Sequence, residues 1–237
     1  MFGVARQLTI RNRILHALPH DELARLLPSL EKVDLQKGEI IYLSGDNIQY
    51  AYFPEDGLLS LLFTTETGST VEAAMVGSEG LVGLPVILRN QMIPYDVAVQ
   101  FTTKAFKIRA KELREEFDKG QTLHELVLRY LNTLIAQISQ SLICNRFHIR
   151  DQVFRRWLLT VQDRVNCDSL TLTQEIISNA LGIPRTAITK AAAAMQRDGL
   201  ISYSRGKIVI LDRARLEANS CECYRVIRDE IRHFLTQ

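Results

Sequence analysis

Residues Leu172–Leu211 read LTQEIISNALGIPRTAITKAAAAMQRDGLISYSRGKIVIL, and this stretch decides the fold. Thr173, with Glu175 two residues on, opens an apolar pattern in which Ile176, Ile177, Ala180 and Leu181 fall at helical spacing. Gly182 follows where the chain must turn sharply, since glycine accepts positive φ without steric cost. Pro184 suits a first helical turn, where its missing N–H has no partner to lose. The second helix, 184–197, groups Ile188, Ala191, Ala192 and Met195 on one face. It turns Arg185, Thr186, Thr189 and Lys190 outward. The small Ser178 lets the two helices approach closely. After Gly199, the apolar runs Leu200–Tyr203 and Lys207–Leu211 flank Ser204-Arg205-Gly206, a hairpin signal. Helix, turn, helix and hairpin together make a winged helix-turn-helix, whose second helix can lie in a DNA major groove.

Working upstream, Asp151–Val165 is amphipathic through Val153, Phe154, Trp157, Leu158 and Val161. Before it, from about Glu112, a helical pattern runs for about 30 residues. Its stripe is Leu123, Val127, Tyr130, Leu131, Leu134, Ile138 and Leu142, with spacings of three and four, which suggests pairing with a second copy. The alternative is a helix packed on its own barrel. Between Val33 and Ile108 the period becomes that of strands. Short apolar runs at 33–35, 39–43, 50–53, 58–63, 71–75, 97–101 and 105–108 are punctuated by Gly38, Gly45, Gly57, Gly68 and Gly77, as in a sandwich or small barrel. Residues 6–30 read as helical, broken at Pro19. Downstream, 213–216 and 224–234 read as C-terminal helices.

The 237 residues suffice for one or two domains. No run of about 18 uncharged apolar residues exists, so no membrane span is expected. The N-terminus lacks an unbroken signal-peptide core, so a cytoplasmic location is expected. Net charge is +2, unevenly placed: 13 Lys and Arg against 16 Asp and Glu in 1–120 (−3), but 16 against 11 in 121–237 (+5). The basic excess lies in the half holding the helix-turn-helix, as binding to phosphates requires.

A barrel, a long helix and a winged helix in that order resemble the Crp–Fnr family of bacterial transcription regulators. In the first half the resemblance is carried by VDLQKGEIIYLSGD (33–46) and Gly57. In the second it is carried by LTQEIISNALGIPRTAITKAAAAMQRDGLI and the Arg205-Gly206 turn. It implies an α+β fold: a cyclic-nucleotide-binding-like β-barrel (a jelly roll) over 1–111, a dimerisation helix over 112–145 and a winged-helix DNA-binding domain over 146–237. It also implies a homodimer on near-palindromic double-stranded DNA. RNA polymerase and a small-molecule effector of unknown identity are candidate partners.

Arginine can pair bidentately with a guanine edge, and threonine can bond a base or touch a thymine methyl. Arg185, Thr186 and Thr189 are therefore expected on bases, with Lys190 on a base or phosphate. Thr173, Gln174, Arg205 and Lys207 are expected at phosphates. The family often has a glutamate where Thr186 stands, so its usual operator does not carry over. The sensor residues carry over poorly too. Cyclic-nucleotide-binding members of the family hold the ligand with a glycine-glutamate pair and an arginine beside a small hydroxyl residue. Here Gly83 precedes Leu84, and Tyr95-Asp96 stand where the arginine and hydroxyl belong, with Arg89 nearby. Asp96 would repel a phosphate. These five residues mark the candidate ligand region, and tight binding of cyclic AMP or cyclic GMP is not expected.

No cofactor or metal is expected. The first cysteine is Cys144, which argues against an N-terminal iron–sulfur cluster, and 33–108 holds no histidine for haem. Cys221-Glu222-Cys223 is read as structural, because zinc wants four protein ligands and no other Cys or His is near in sequence. An enzyme is not expected either. His16, His20, His124, His148 and His233 lie outside the strands, and Glu72 with Glu79 cannot alone build a cupin-like metal site. A winged helix that binds protein is the remaining alternative.

Overall fold

The computed structural model describes residues 9–234; residues 6–8 of the expected N-terminal helix lie outside them. Two short helices, α1 (Arg13–His16) and α2 (His20–Leu26), precede the barrel. Seven strands then form two antiparallel sheets. One has the order β1 (Glu31–Leu35), β7 (Thr103–Arg109), β3 (Tyr50–Pro54). The other runs β2 (Ile40–Tyr42), β6 (Asp96–Phe101), β4 (Leu58–Thr64), β5 (Thr70–Val76). All seven expected strands are present. Their inward residues, including Ala51, Phe53, Leu59, Val76, Val97, Val99 and Ile108, build one apolar core between the sheets. Register is set by pairs such as Val33 opposite Ala105 and Ser60 opposite Ala98. Gly57 (φ 64°) fits where no side chain could: a Cβ there would lie 2.5 Å from the Thr102 carbonyl oxygen.

The helical stretch after the barrel is broken, where one continuous run was expected. Helix α3 (Ala110–Phe117) ends, the chain turns through Gly120, and α4 (Thr122–Phe147) begins. The cause is a cap from outside the stretch. Glu22 accepts the N–H groups of Thr122 and Leu123, both at 3.0 Å, at the positive end of α4. Burial would raise the Glu22 carboxyl, but these bonds outweigh it and hold it below its ordinary value.

The expected seam on α4 is corrected. Leu123, Val127, Tyr130 and Leu134 belong to the barrel's own core, and Leu131 is half-buried against it. Only Ile138 and Leu142 of that stripe are exposed. The outward row is Leu128, Ile135, Ile138 and Leu142, with the half-buried Leu131 at its edge, again spaced three and four and about 90° around the helix from the buried row. Spacing alone did not tell the two faces apart.

The second unit starts with α5 (Arg150–Val165). It continues with β8 (Ser169–Thr171), α6 (Gln174–Leu181), α7 (Arg185–Arg197), β9 (Ile201–Ser204) and β10 (Lys207–Ile210). Helices α8 (Arg213–Ala218) and α9 (Glu222–His233) close it. Strand β8, for which the sequence reading named no strand, pairs with β10 and makes the wing three-stranded. Its core gathers Phe154, Trp157, Leu158, Ile177, Ile188, Met195 and Ile208, and also takes in Leu58 and Met75 of the barrel. Glu72 and Glu79 serve as ties between the units. Trp157 Nε1 donates to Glu72 at 2.7 Å, and Arg164 pairs with Glu79 at 2.7 Å, both buried. Among the described residues no helix is long and apolar enough to cross a membrane.

Candidate nucleic-acid interface

Helix α6 opens on Thr173, whose hydroxyl accepts the Ile176 N–H at 3.2 Å, and closes on Gly182 in the left-handed region (φ 63°). Ser178 donates its hydroxyl to the Ile183 carbonyl at 2.7 Å, which pins the turn. Pro184 sits one residue before the first turn, as the N-cap of α7, where its carbonyl accepts from Ala187 and Ile188. From that start α7 buries Ile188, Ala191, Ala192 and Met195, the four residues expected inside. The opposite face leaves Arg185, Thr186, Thr189 and Lys190 exposed. Thr189 donates its hydroxyl to the Arg185 carbonyl at 2.9 Å, so it faces outward with its methyl and an acceptor oxygen.

The wing is locked to this pair of helices. Arg205 (φ 49°) and Gly206 (φ 75°) take consecutive left-handed conformations, the turn type that joins two twisted strands over two residues. The Gly206 carbonyl accepts the Leu172 N–H at 2.8 Å, and a Cβ on Gly206 would lie 3.3 Å from the Thr173 methyl. Tyr203 fixes the other side: its N–H donates to Gln196 on α7 and its hydroxyl donates to the Leu172 carbonyl. Burial holds that phenol above its ordinary value. Gln196 and Tyr203 were not singled out from the sequence; no periodicity marks them, since they act through backbone partners.

Thr173, Gln174, Arg185 and Arg205 line one open groove between wing and helices, together with Glu175, Tyr203, Ser204 and Gly206. Thr186, Thr189 and Lys190 continue along α7, and Lys207 is exposed on β10. Arg185 also pairs with Glu175 at 2.6 Å, both side chains more than half exposed. Such a pair contributes little, so Arg185 can leave it for a stronger partner.

Residues of the expected ligand region each have surroundings of their own. Leu84 is buried in the barrel core just after Gly83. Arg89 points outward, 3.8 Å from Asp118. Tyr95 packs on Phe63 with ring centroids 5.6 Å apart, and burial pushes its phenol up to about 12. Asp96 accepts the Ser44 N–H at 2.8 Å. The reading of Cys221 and Cys223 as remote from other ligands is also corrected, because the end of α4 brings Cys144 and His148 beside them. Nothing in the linear spacing showed this, since His148 and Cys221 are 73 positions apart.

The cyclic nucleotide-binding domain model matches residues 32–119, and the Crp-like helix-turn-helix domain model matches 155–219. Similar sequences include the transcriptional activator protein FnrL of Cereibacter sphaeroides, 26% identical over 214 residues and 83% of each chain. The regulatory protein HlyX of Actinobacillus pleuropneumoniae is 25% identical over 219 residues, covering 83% of this chain and 84% of that one. Two solved structures share the fold. A transcriptional regulator of the crp/fnr family from Eubacterium rectale has a TM-score of 0.69 at 21% identity, over 90% of this chain and 98% of that one. FixK2 from Bradyrhizobium japonicum has a TM-score of 0.69 at 13% identity, over 81% and 98%.

Proposed function

The chain belongs to the Crp–Fnr family of transcription regulators, and from that premise we propose that it is a homodimeric, sequence-specific DNA-binding regulator in which α7 reads a near-palindromic operator. The observation that carries this reading is the outer face of α7. Four side chains suited to base edges and phosphates stand exposed there, beside a wing whose turn is anchored to the start of α6. Arg185, Thr186 and Thr189 are assigned to bases and Lys190 to a base or phosphate. Thr173, Gln174, Arg205 and Lys207 are assigned to phosphates, with the N-terminus of α6 adding its oriented N–H groups.

Dimerisation is supported by the outward row on α4. Four exposed apolar residues, Leu128, Ile135, Ile138 and Leu142, lie at heptad spacing on one helix face, as in the seam of a two-stranded coiled coil. Control by cyclic AMP is not part of the proposal. An incoming phosphate would approach the carboxylate of Asp96, and Arg89, the arginine nearest in sequence, stands exposed beside Asp118.

Gel-shift titration on the region upstream of the protein's own gene tests the DNA-binding reading. Retention against excess random DNA, weakening steeply between about 50 and 200 mM salt, is the expected result. Binding insensitive to salt, or none, would overturn it. Calorimetry with cyclic AMP or cyclic GMP is expected to give no micromolar site.

A further inference from the structure

Cys144, His148, Cys221 and Cys223 converge where the end of α4 meets the start of α9, with one ligand-type atom from each lying within 4.8 Å of all the others. Each is held in place by its element. Cys144 and His148 are one turn apart at the end of α4, where the His148 N–H still donates to the Cys144 carbonyl at 3.1 Å. An i, i+4 pair presents both side chains on one face. Cys221 is the N-cap of α9 and Cys223 lies in its first turn, where unpaired N–H groups favour negatively charged sulfur. The three cysteines are buried and unbridged, and the His148 side chain is only 16% exposed.

The distances suit one small ion. Zinc binds thiolate at about 2.3 Å and imidazole at about 2.0 Å, so a tetrahedron around it has S···S edges of about 3.8 Å and S···N edges of about 3.5 Å. Cys144 Sγ lies 3.5 Å from Cys221 Sγ, and Cys223 Sγ lies 3.5 Å from His148 Nδ1. The surroundings suit it too. The other imidazole nitrogen, Nε2, is 3.3 Å from the Glu222 carboxylate, the arrangement that fixes the tautomer and orientation of a ligating histidine. Gln140 Nε2 donates to Cys223 Sγ at 3.0 Å. Arg156, buried and with its Nε unpartnered, acts electrostatically on the Cys144 sulfur. Three thiolates around a dication carry a net charge of about −1, which a buried guanidinium offsets.

We propose that Cys144, His148, Cys221 and Cys223 form a tetrahedral three-sulfur, one-nitrogen site for a single zinc(II) ion that fastens α9 to the end of α4. Loading exchanges three thiol protons, released to solvent, for three zinc–sulfur bonds and one zinc–nitrogen bond; no electron is transferred. Four protein ligands leave no open position, so the ion is structural. Donor atoms this close enclose one ion and leave no room for a sulfide-bridged iron core.

The test uses the full-length protein, purified reduced, with elemental analysis and cobalt(II) replacement as readouts. About one zinc per chain is expected, together with the intense visible bands of tetrahedral cobalt and thiolate-to-cobalt charge transfer. Cys223→Ser and Cys144→Ser should weaken metal affinity at least about 100-fold, and Glu222→Gln about 10–100-fold. Cys167→Ser, at an exposed cysteine outside the cluster, should change neither metal content nor spectrum. Should the buried cysteine variants fail to fold, Glu222→Gln and the wild-type spectrum still decide. A wild-type protein without zinc that gives only the pale octahedral cobalt spectrum would overturn the proposal. So would an equal loss in Cys167→Ser, or a brown protein carrying acid-labile sulfide.

Discussion

Arg185 and Lys207 are both exposed cations near the helix-turn-helix, yet the account gives them different work. Arg185 stands on the first turn of α7, with a planar guanidinium able to grip one guanine edge. Arg185→Ala is expected to cost about 1–3 kcal/mol of operator binding and to relax preference at one base position, as a comparison of single-base operator variants would show. Lys207 lies on the wing strand, where a point charge can meet only phosphate. Lys207→Ala is expected to weaken all sequences alike and to lower the salt slope by about 1 in a titration across ionic strength. At this scale much of the site was legible. The four outward residues of α7 follow from a 100° step per residue once Ile188 and Met195 are placed inside. The bonds of Thr189 to its own helix and of Arg185 to Glu175 were not legible, because they depend on rotamers and on a neighbouring helix.

Helix α4 shows how one sequence pattern conceals two faces. Leu134 is 6% exposed against the barrel, whereas Leu142, two turns on, is 72% exposed. A three-four spacing is common to both rows, so the stripe read from sequence joined residues that do different work. The break before α4 was hidden for a related reason: its cap, Glu22, comes from a hundred residues upstream. The two faces separate in experiment. Leu134→Ala is expected to lower folding stability by about 2–5 kcal/mol, measured by chemical denaturation, and to leave the oligomeric state unchanged. Ile138→Glu is expected to give monomers in sedimentation equilibrium with the barrel still folded. A dimer persisting in Ile138→Glu would move the seam elsewhere.

Over the whole molecule, the barrel and the winged helix form a continuous structure tied by buried polar groups. Helix α6 packs on β5, and Glu72 joins Trp157 of α5 to Ser60 of β4. Burial raises the Glu72 carboxyl above its ordinary 4.5, against the pull of those two hydrogen bonds. The unfolded chain therefore releases this proton first as pH rises. Glu72 makes stability fall with pH from about 4.5 up to its raised folded value. Glu72→Gln keeps an acceptor for Trp157 and a partner for Ser60, and is expected to flatten that slope in denaturation curves at a series of pH values; an unchanged slope would remove Glu72 from the account. The order of units was legible from the change of period along the chain. Their mutual packing was not, since the sequence reading weighed Glu72 and Glu79 only as metal ligands too few to build a site.

Capture of genomic DNA fragments by the purified protein at physiological salt, with sequencing of what is retained, is the decisive assay of operator reading by α7. Enriched fragments are expected to share an inverted repeat whose half-sites are centred about 10–10.5 base pairs apart, or a multiple of that, with the enrichment lost in Arg185→Ala. Retention of fragments without any common motif, or equal retention by the Arg185→Ala protein, would contradict it.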